Sequence, residues 1–207
     1  DAARCNKRAP TTGCDAINGH NAMHAVLGAS EHCVATHPSD MCVALAALDG
    51  LIHLRSPGGD RVVPIRDFHR LPGDEPQVDT VLSKGELIVG VELPPPPEAC
   101  RSSYVKVRER ASYAFALVSL AALLSVQRGR VAEVRIALGG VAHKPWRVAD
   151  AEAALIGQAA ERASLERAAD LLLAGARPLR DNRFKIELAR RVIVHTLTRL
   201  AESGEPS

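Results

Sequence analysis

Four consecutive prolines, Pro94 to Pro97, are the feature that most restricts how this 207-residue chain can fold. Proline lacks the backbone N–H group and fixes φ, so a run of four belongs neither to a helix interior nor to a central strand. Such a run is typical of a stiff, extended linker. The parts of the chain before and after the prolines therefore need separate patterns of helices and strands.

The part before the prolines predicts one helix. Thr36 or Ser39 can cap a helix from Ser39 to Asp49, and Gly50 can end it. An apolar stripe at helical spacing places Cys42 in the core, where a free thiol behaves as a small apolar side chain. The stripe consists of Met41, Ala44, Leu45 and Leu48.

Strand patterns surround this helix. The segment CVAT, residues 33–36, predicts a short strand. LIHLRS and RVVPIRDF predict a hairpin about PGGD, and ELIVGVELP predicts one more strand before the prolines. The first part of the chain is therefore expected to be α+β.

The part after the prolines predicts an antiparallel sheet covered by helices. Its strand candidates are SSYVKVRER, ASYAFALVSLAALLSV and RVAEVRIALGG, the last two separated by a short QRG turn. Helices are predicted over Ala149–Gly157, Ser164–Ala174 and Asn182–Glu202. The second and third carry one apolar face each, which should cover one side of the sheet.

Several classes of function are disfavoured by composition and pattern. The chain has 26 Lys and Arg against 24 Asp and Glu, and no basic cluster interleaved with aromatic residues, so a nucleic-acid surface is not expected. Its longest apolar stretch, residues 115–126, is shorter than the roughly 20 residues that cross a bilayer. No catalytic residue is predicted, because Ser102, Ser103 and Ser112 lack a neighbouring histidine that could serve as a base.

Three of the five cysteines, Cys5, Cys14 and Cys33, lie in a polar segment rich in glycine and proline turns. Thiolates on a weakly structured loop can be organised by a metal ion or an iron-sulfur cluster, since ligation supplies the energy that burial does not. Their spacing does not fit the close pairs of zinc ribbons, although nearby histidines keep zinc open. Three inert thiols are an equally good interpretation of composition and spacing, and no function is expected for Cys100 beside the prolines.

Six motifs in consistent order, from Cys5 to about Ala201, resemble a known family. Together they resemble the FAD-binding (medium) subunit of molybdenum hydroxylases of the xanthine dehydrogenase and aldehyde oxidoreductase group. The nearest branch carries an extra [4Fe-4S] cluster on an inserted loop. The motifs are CNKRAPTTGC, GHNAMHAVLGASEHCVATHPSDMCVALAALDG, DFHRLPGDEP, KGELIVGVELP, YVKVRERASYAFALVSLAALL and RIALGGVAHKPWR.

The resemblance implies a ligand set for the cluster. Cys5, Cys14 and Cys33 match the family's cluster loop, and thiolates suit iron because they are soft, anionic donors. The family's glycine-rich pyrophosphate loop and a further cysteine upstream have no counterpart here, so the chain is expected to be the C-terminal two thirds of the subunit. The fourth ligand is then expected to be missing, with Cys42, a histidine or an external group as alternatives.

The resemblance also implies contacts with the flavin. Asp40, with Ser39 beside it, matches the acidic position that holds the ribityl chain, and a carboxylate can accept hydrogen bonds from its hydroxyls. Ile88 matches a position that packs on the flavin. Lys106 matches a lysine near the isoalloxazine, where a cation would favour the anionic reduced ring. Helix capping, strand core and a solvated strand face explain the same residues without any flavin.

The fold class implied is α+β, with the C-terminal part of a PCMH-type FAD-binding domain followed by a small antiparallel sheet covered by helices. The expected segments are 1–35, the iron-sulfur loop; 36–97, the C-terminal part of the FAD-binding subdomain; and 98–207, the C-terminal flavin-subunit domain.

The function implied is electron transfer through FAD to an acceptor. A small partner subunit with [2Fe-2S] clusters would deliver the electrons, and a large molybdopterin-binding subunit would carry out the substrate chemistry. A cytoplasmic location is expected, with export to the periplasm alongside a partner subunit as the alternative. The competing interpretation is a non-catalytic docking module, or a zinc-binding remnant that lacks flavin.

Overall fold

A computed structural model of the chain describes residues 3–202, so the outermost parts of the first and last predicted segments, 1–2 and 203–207, lie outside the described residues. The helices are α1 Asp15–Asn18, α2 Asp40–Ala47, α3 Ile65–Phe68, α4 Ala149–Ala153, α5 Arg162–Leu172 and α6 Phe184–Glu202. The strands are β1 Leu51–Ser56, β2 Gly59–Pro64, β3 Leu87–Glu92, β4 Arg101–Val107, β5 Val118–Gln127 and β6 Arg130–Gly139.

The strands form two antiparallel sheets, one on each side of the proline run. The first has the order β2-β1-β3 and the second the order β4-β5-β6, so the α+β prediction and the small antiparallel sheet are confirmed. The predicted hairpin forms between β1 and β2, with Leu51 opposite Pro64 and Ser56 opposite Gly59. Strand β2 ends at Pro64, earlier than predicted, because the short helix α3 begins at the next residue, Ile65.

The strand predicted at residues 33–36 was wrong. The structure gives this segment isolated backbone hydrogen bonds rather than a ladder. Ala25 donates its N–H to the Val34 carbonyl at 2.8 Å, and Ser30 donates its N–H to the Cys33 carbonyl at 3.1 Å. Strand propensity therefore predicted a strand where the fold provides no partner strand.

Strand β5 begins seven residues later than the predicted strand, at Val118 rather than Ala111. Residues 111–117 form a loop instead. Tyr113 has a φ of 51°, in the left-handed region that a strand does not use, and Arg110 donates hydrogen bonds to the Tyr113 carbonyl. The apolar run of the sequence thus includes a loop as well as a strand.

The central strand β5 is buried on both faces over its first eight residues. Side chains of one face, including Leu120 and Leu124, pack in the core that contains α5 and α6. Side chains of the other face, Ala121 and Leu123, pack in the core that contains α2. Successive side chains of a strand point to opposite faces, so a continuous apolar run is what two-sided coverage requires.

Helix α2 belongs to the predicted segment 36–97 but packs against the segment 98–207, because its Val43 shares a core with Ala121 and Leu123 of β5. Its Ser39 cap is confirmed, since the Ser39 hydroxyl accepts the Cys42 N–H at 3.2 Å. The predicted apolar stripe was wrong. Met41 is 65% exposed, whereas the buried residues of α2 are Val43, Leu45, Ala46 and Ala47. The helix packs between two elements, and a single-stripe pattern does not describe that environment.

The last two helices lie close to their predicted positions, and their predicted faces are confirmed. In α5 the buried apolar residues are Leu165, Ala168, Ala169 and Leu172. In α6 the buried apolar residues include Ala189, Ile193, Leu197 and Leu200. Helix α4 ends at Ala153, four residues before the predicted Gly157. None of the described helices has the length and apolar character needed to span a bilayer.

One buried cation fastens the N-terminal loop to α6. Lys185 is fully buried, and its Nζ donates to the carbonyls of Met23 at 3.2 Å, His24 at 2.9 Å and Gly140 at 2.5 Å. Burial lowers the pKa of Lys185 to about 8, so the ammonium still predominates at neutral pH. The Asn182 side chain adds bonds to the His24 and Ala25 carbonyls, each at 3.2 Å. Lys185 and Asn182 thereby hold residues 23–25, which have no regular structure, although these residues are distant in sequence.

Replacement of Lys185 by Met should destabilise the protein by roughly 3 kcal/mol, because buried carbonyls then lack a donor. Urea unfolding at pH 7 measures the effect. Lys84→Met is the matched control, since Lys84 is exposed, and we expect it to change stability by less than about 0.5 kcal/mol. Equal stabilities for the two variants would contradict the importance of the three carbonyl contacts.

Candidate functional site

Three of the predicted flavin residues meet at the N-terminus of α2. Asp40 is the first residue of the helix, and its carboxylate accepts hydrogen bonds from Lys106 Nζ at 2.7 Å and from the Tyr104 hydroxyl at 2.8 Å. Lys106 and Tyr104 both lie on edge strand β4 and point to the face that α2 covers. Ser39 precedes Asp40 as the cap residue. The structure therefore brings Ser39, Asp40 and Lys106 together.

Tyr104 is the member of this group that the sequence prediction missed. It lies two residues before Lys106, so the period of two along a strand places both side chains on one face. That alternation was the available signal, and it required knowing which face α2 covers. Its hydroxyl provides Asp40 with a second hydrogen-bond donor.

The ionisation of Asp40 is governed by these two donors. Partial burial raises the pKa of Asp40, but the hydrogen bonds from Lys106 and Tyr104 outweigh it and hold the pKa below the ordinary value. Burial, followed by the proximity of the Asp40 carboxylate, raises the pKa of Tyr104 to about 12. At neutral pH the group thus consists of a carboxylate, an ammonium and a neutral phenol.

A small cavity opens beside this group. Its volume is about 180 Å³, and its lining residues are Met23, Thr36, His37, Pro38, Ser39, Asp40, Phe115, Ala116, Ser119, Gly139 and Gly140. Phe115 is 67% exposed and lies in the loop that precedes β5. The cavity has a polar wall at the start of α2 and an apolar wall at this loop. It is smaller than the roughly 300–1,000 Å³ that usually enclose a whole ligand.

Ile88 lies elsewhere, on the outer strand β3. Its side chain is 52% exposed, and its register partner across the ladder is Leu54 of β1. No residue of the Asp40 cavity lies on β3. Within residues 3–202, Ile88 is therefore not brought together with Ser39, Asp40 and Lys106.

The loop cysteines occupy one region of the N-terminal segment. Cys5 and Cys14 face each other as an isolated antiparallel bridge. Cys33 is 4% exposed, and burial followed by the proximity of Cys14 and Cys5 raises its pKa. The pKa of Cys5 is lowered, because backbone N–H donors of Arg8 and Lys7 outweigh the opposing effect of burial. The Asn6 side chain accepts the Gly13 N–H at 2.8 Å and donates to the His32 carbonyl at 2.9 Å, so the segments that carry the three cysteines are hydrogen-bonded to one another.

A buried histidine connects this loop to the rest of the protein. His143 is 5% exposed; its Nδ1 lies 4.0 Å from Cys33 Sγ and its Nε2 lies 3.0 Å from both Asp79 Oδ1 and Lys7 Nζ. Lys7 also forms an ion pair with Asp79. The sequence suggested only a loop position for His143, and nothing in its local pattern indicates contact with residues 64 and 136 positions away.

Two known protein families match consecutive parts of the chain. Residues 17–96 match the FAD binding domain in molybdopterin dehydrogenase. Residues 103–203 match the CO dehydrogenase flavoprotein C-terminal domain. The first match ends within the proline run, and the second begins after it.

Relatives of known function are similar over most of the chain. The aldehyde oxidoreductase FAD-binding subunit PaoB of Escherichia coli (strain K12) is 47% identical over 194 residues, which are 93% of this chain and 58% of that protein. The glyceraldehyde dehydrogenase medium chain of Sulfolobus acidocaldarius is 35% identical over 58% of this chain and 40% of that protein. The chain thus spans about half the length of these relatives.

A solved structure supports the same fold. Quinoline 2-oxidoreductase from Pseudomonas putida 86 contains a chain that superposes with a TM-score of 0.67 at 28% sequence identity. The similarity covers 97% of this chain and 65% of that one. The arrangement of elements is therefore shared, and not only the sequence motifs.

Replacing Lys106 with Met should raise the pKa of Asp40, because the carboxylate loses a charged donor. The native pKa of Asp40 is depressed, so its contribution to stability is present above the unfolded value of 3.8 and is lost as pH falls through the native value. The difference in unfolding free energy between parent and variant should therefore be present at pH 7 and shrink at lower pH. Carboxyl ¹³C NMR titration measures the pKa of Asp40 in the two proteins. Urea unfolding at pH 7 and below the native pKa of Asp40 measures the difference in stability, with Lys84→Met as the control.

Proposed function

We propose that this chain is part of an FAD-binding subunit of the xanthine dehydrogenase and aldehyde oxidoreductase group, and that it transfers electrons through FAD from partner iron-sulfur clusters to an acceptor. The observation that carries the proposal is the group of Ser39, Asp40 and Lys106 beside a cavity within the matched regions. Bound FAD would supply a redox carrier between donor and acceptor. This chain's residues would bind and orient it.

The hydrogen-bonding capacity at the start of α2 fits a polyol chain. A carboxylate can accept about four hydrogen bonds, and Asp40 receives one each from Lys106 and Tyr104, so acceptor capacity remains. Within the described part of the chain, the Ser39 hydroxyl accepts a bond and donates none. The pair thus offers both an acceptor and a donor to sugar-alcohol hydroxyls. The cavity volume of about 180 Å³ suits such a portion of the flavin rather than the whole.

Lys106 has two roles in the proposal. Its bond to Asp40 holds the carboxylate in one orientation, and its 20% exposed side chain leaves the ammonium near the cavity. A positive charge there would favour an anionic form of the flavin ring. Ile88 is proposed to contact the flavin from β3, which requires that the cofactor extend beyond the Asp40 cavity.

Cys5, Cys14 and Cys33 are proposed to hold a [4Fe-4S] cluster. Among the described residues these three thiols do not converge within 4.8 Å of one another, as the ligands of a single small ion do. A cluster accepts wider spacing, because each thiolate binds a different iron. Their mutual electrostatic influence supports the proposal, while the raised pKa of Cys33 means that ligation must displace a proton. A fourth ligand is not assigned.

The partners proposed are a large molybdopterin-binding subunit and a small [2Fe-2S] subunit. Similar proteins are named as medium chains or FAD-binding subunits, which supports a multi-subunit assembly. Substrate oxidation would then take place on the large subunit. The three segments 1–35, 36–97 and 98–207 are proposed to serve the cluster, the flavin and the packing of the subunit, respectively. A cytoplasmic location remains a prediction, with co-export as the alternative.

Asp40→Ala should lower the FAD content of the purified assembly at least about tenfold, since the ribityl hydroxyls lose a charged acceptor. Flavin released by acid precipitation is quantified by fluorescence. Asp67→Ala is the matched control, because Asp67 is an exposed carboxylate in the first turn of α3. Full flavin content in Asp40→Ala, or equal loss in both variants, would count against the binding role of Asp40.

Cys14→Ser should remove the iron and acid-labile sulfide attributable to this chain under anaerobic preparation, together with the broad visible absorbance of an iron-sulfur cluster. Cys100→Ser is the control, since Cys100 follows the prolines and is not a proposed ligand. To exclude the clusters of a partner, the chain is prepared alone for this measurement. A protein with no iron before substitution would refute the cluster and leave the flavin proposal standing.

A further inference from the structure

Two histidines and a cysteine converge away from the loop thiols. His37, Cys42 and His69 each offer a ligand atom, and these atoms lie within 4.8 Å of one another. His37 lies just before α2, Cys42 lies in its first turn, and His69 follows α3. Cys42 was predicted to be a core residue, but it is only partly buried and belongs to this cluster. The three residues are called the His-Cys-His cluster below.

The two imidazoles face each other through their Nε2 atoms, which lie 2.8 Å apart. Their ring planes are inclined at 80°, with centroids 4.4 Å apart. Burial lowers the pKa of His37, and burial with the neighbouring His37 lowers the pKa of His69 to about 4.

His69 has a polar atom for which the described residues provide no partner. Its side chain belongs to the buried set at 9% exposure, and its Nδ1 forms no hydrogen bond. Most buried polar atoms are paired, so this orphan is unusual; it lies on the opposite side of the ring from Nε2, the atom that faces His37. A cavity of about 260 Å³, lined in part by His37 and His69, adjoins the cluster and provides space for an ion and a water molecule.

One existing hydrogen bond opposes metal binding. Ser39 donates its N–H to His37 Nδ1 at 3.1 Å, so the His37 proton lies on Nε2, directed at His69. Ligation through Nε2 would move this proton to Nδ1 and break the bond to Ser39. Metal–ligand bonds to three side chains would have to outweigh the loss of this one hydrogen bond.

We propose that His37, Cys42 and His69 bind one zinc-class divalent ion, with water as the fourth ligand on the side of the cavity. Two imidazoles and a thiolate suit zinc and cobalt better than calcium or magnesium, which prefer oxygen ligands. Zinc–nitrogen bonds of about 2.0–2.1 Å need the two Nε2 atoms to separate by only about half an ångström. The ion would be distinct from the proposed flavin and iron-sulfur cluster, although His37 also lines the cavity beside Asp40.

The bound ion would join the start of α2 to the segment after α3. Cys42 lies two residues beyond Asp40, so the ion would also restrain the first turn of the helix that carries this carboxylate. This link would add to the hydrophobic core that α2 already shares with the first sheet and α3. This is a structural role and requires no redox step.

Cobalt(II) titration of the apo chain tests the site, in a Cys5→Ser, Cys14→Ser background that removes competing loop thiols. We expect one equivalent of cobalt to produce a thiolate-to-cobalt charge-transfer band. Cys42→Ser should abolish the band, and His69→Gln should weaken cobalt binding at least about tenfold, since even loss of an outer-sphere partner costs that much. Cys100→Ser and His53→Gln should leave both unchanged.

A second measurement needs no substitution in the cluster and so does not depend on whether those variants fold. Zinc added to the unsubstituted chain should slow alkylation of Cys42 at least about tenfold, as followed by peptide mass spectrometry, because the ligated thiolate is no longer free. Cys100 in the same sample is the control. Unchanged alkylation of Cys42, or a cobalt band that persists in Cys42→Ser, would overturn the proposal whatever the flavin content.

Discussion

The two-sided burial of strand β5 is the constraint on which the rest of the fold depends. One face packs in the core with α5 and α6, and the other in the core with α2. Each fully buried leucine contributes roughly 1.5–3 kcal/mol through removal of apolar surface from water. Because α2 packs against this second face through Val43, its N-terminus lies beside edge strand β4. The Asp40–Lys106 contact follows from that placement.

The polar contacts position the site rather than providing most of its stability. The Asp40–Lys106 pair is partly exposed, and such pairs contribute at most about 1 kcal/mol. Lys185 differs, because its side chain is fully buried and donates hydrogen bonds to three backbone carbonyls. Two of those partners, Met23 and Gly140, also line the cavity beside Asp40. Lys185 thus positions two residues in the wall of the cavity beside Asp40, although its own side chain does not line that cavity.

Local patterns predicted the helices and strands well where each element buries a single face. The hairpin of β1 and β2 and the apolar faces of α5 and α6 follow from periods of 2 and 3.6 residues, which report burial on one side. The errors occurred where an element packs on two sides or where an apolar run continues into a loop. Helix α2 packs on two sides, and residues 111–117 continue an apolar run but contain the left-handed Tyr113. Residues 33–36 have strand propensity, but only the fold determines which backbone groups form hydrogen bonds with them.

For the candidate site, too, the sequence and the tertiary structure provide different information. The sequence alone determined which residue types were available: a carboxylate after a helix cap, a lysine on a strand and a set of thiols in a turn-rich segment. Only the tertiary structure decided which of them meet. Asp40 and Lys106 are 66 residues apart, and His37 and His69 are 32 apart. Periodicity describes the face of one element, whereas contact between elements depends on how their buried faces pack, and that information is not local.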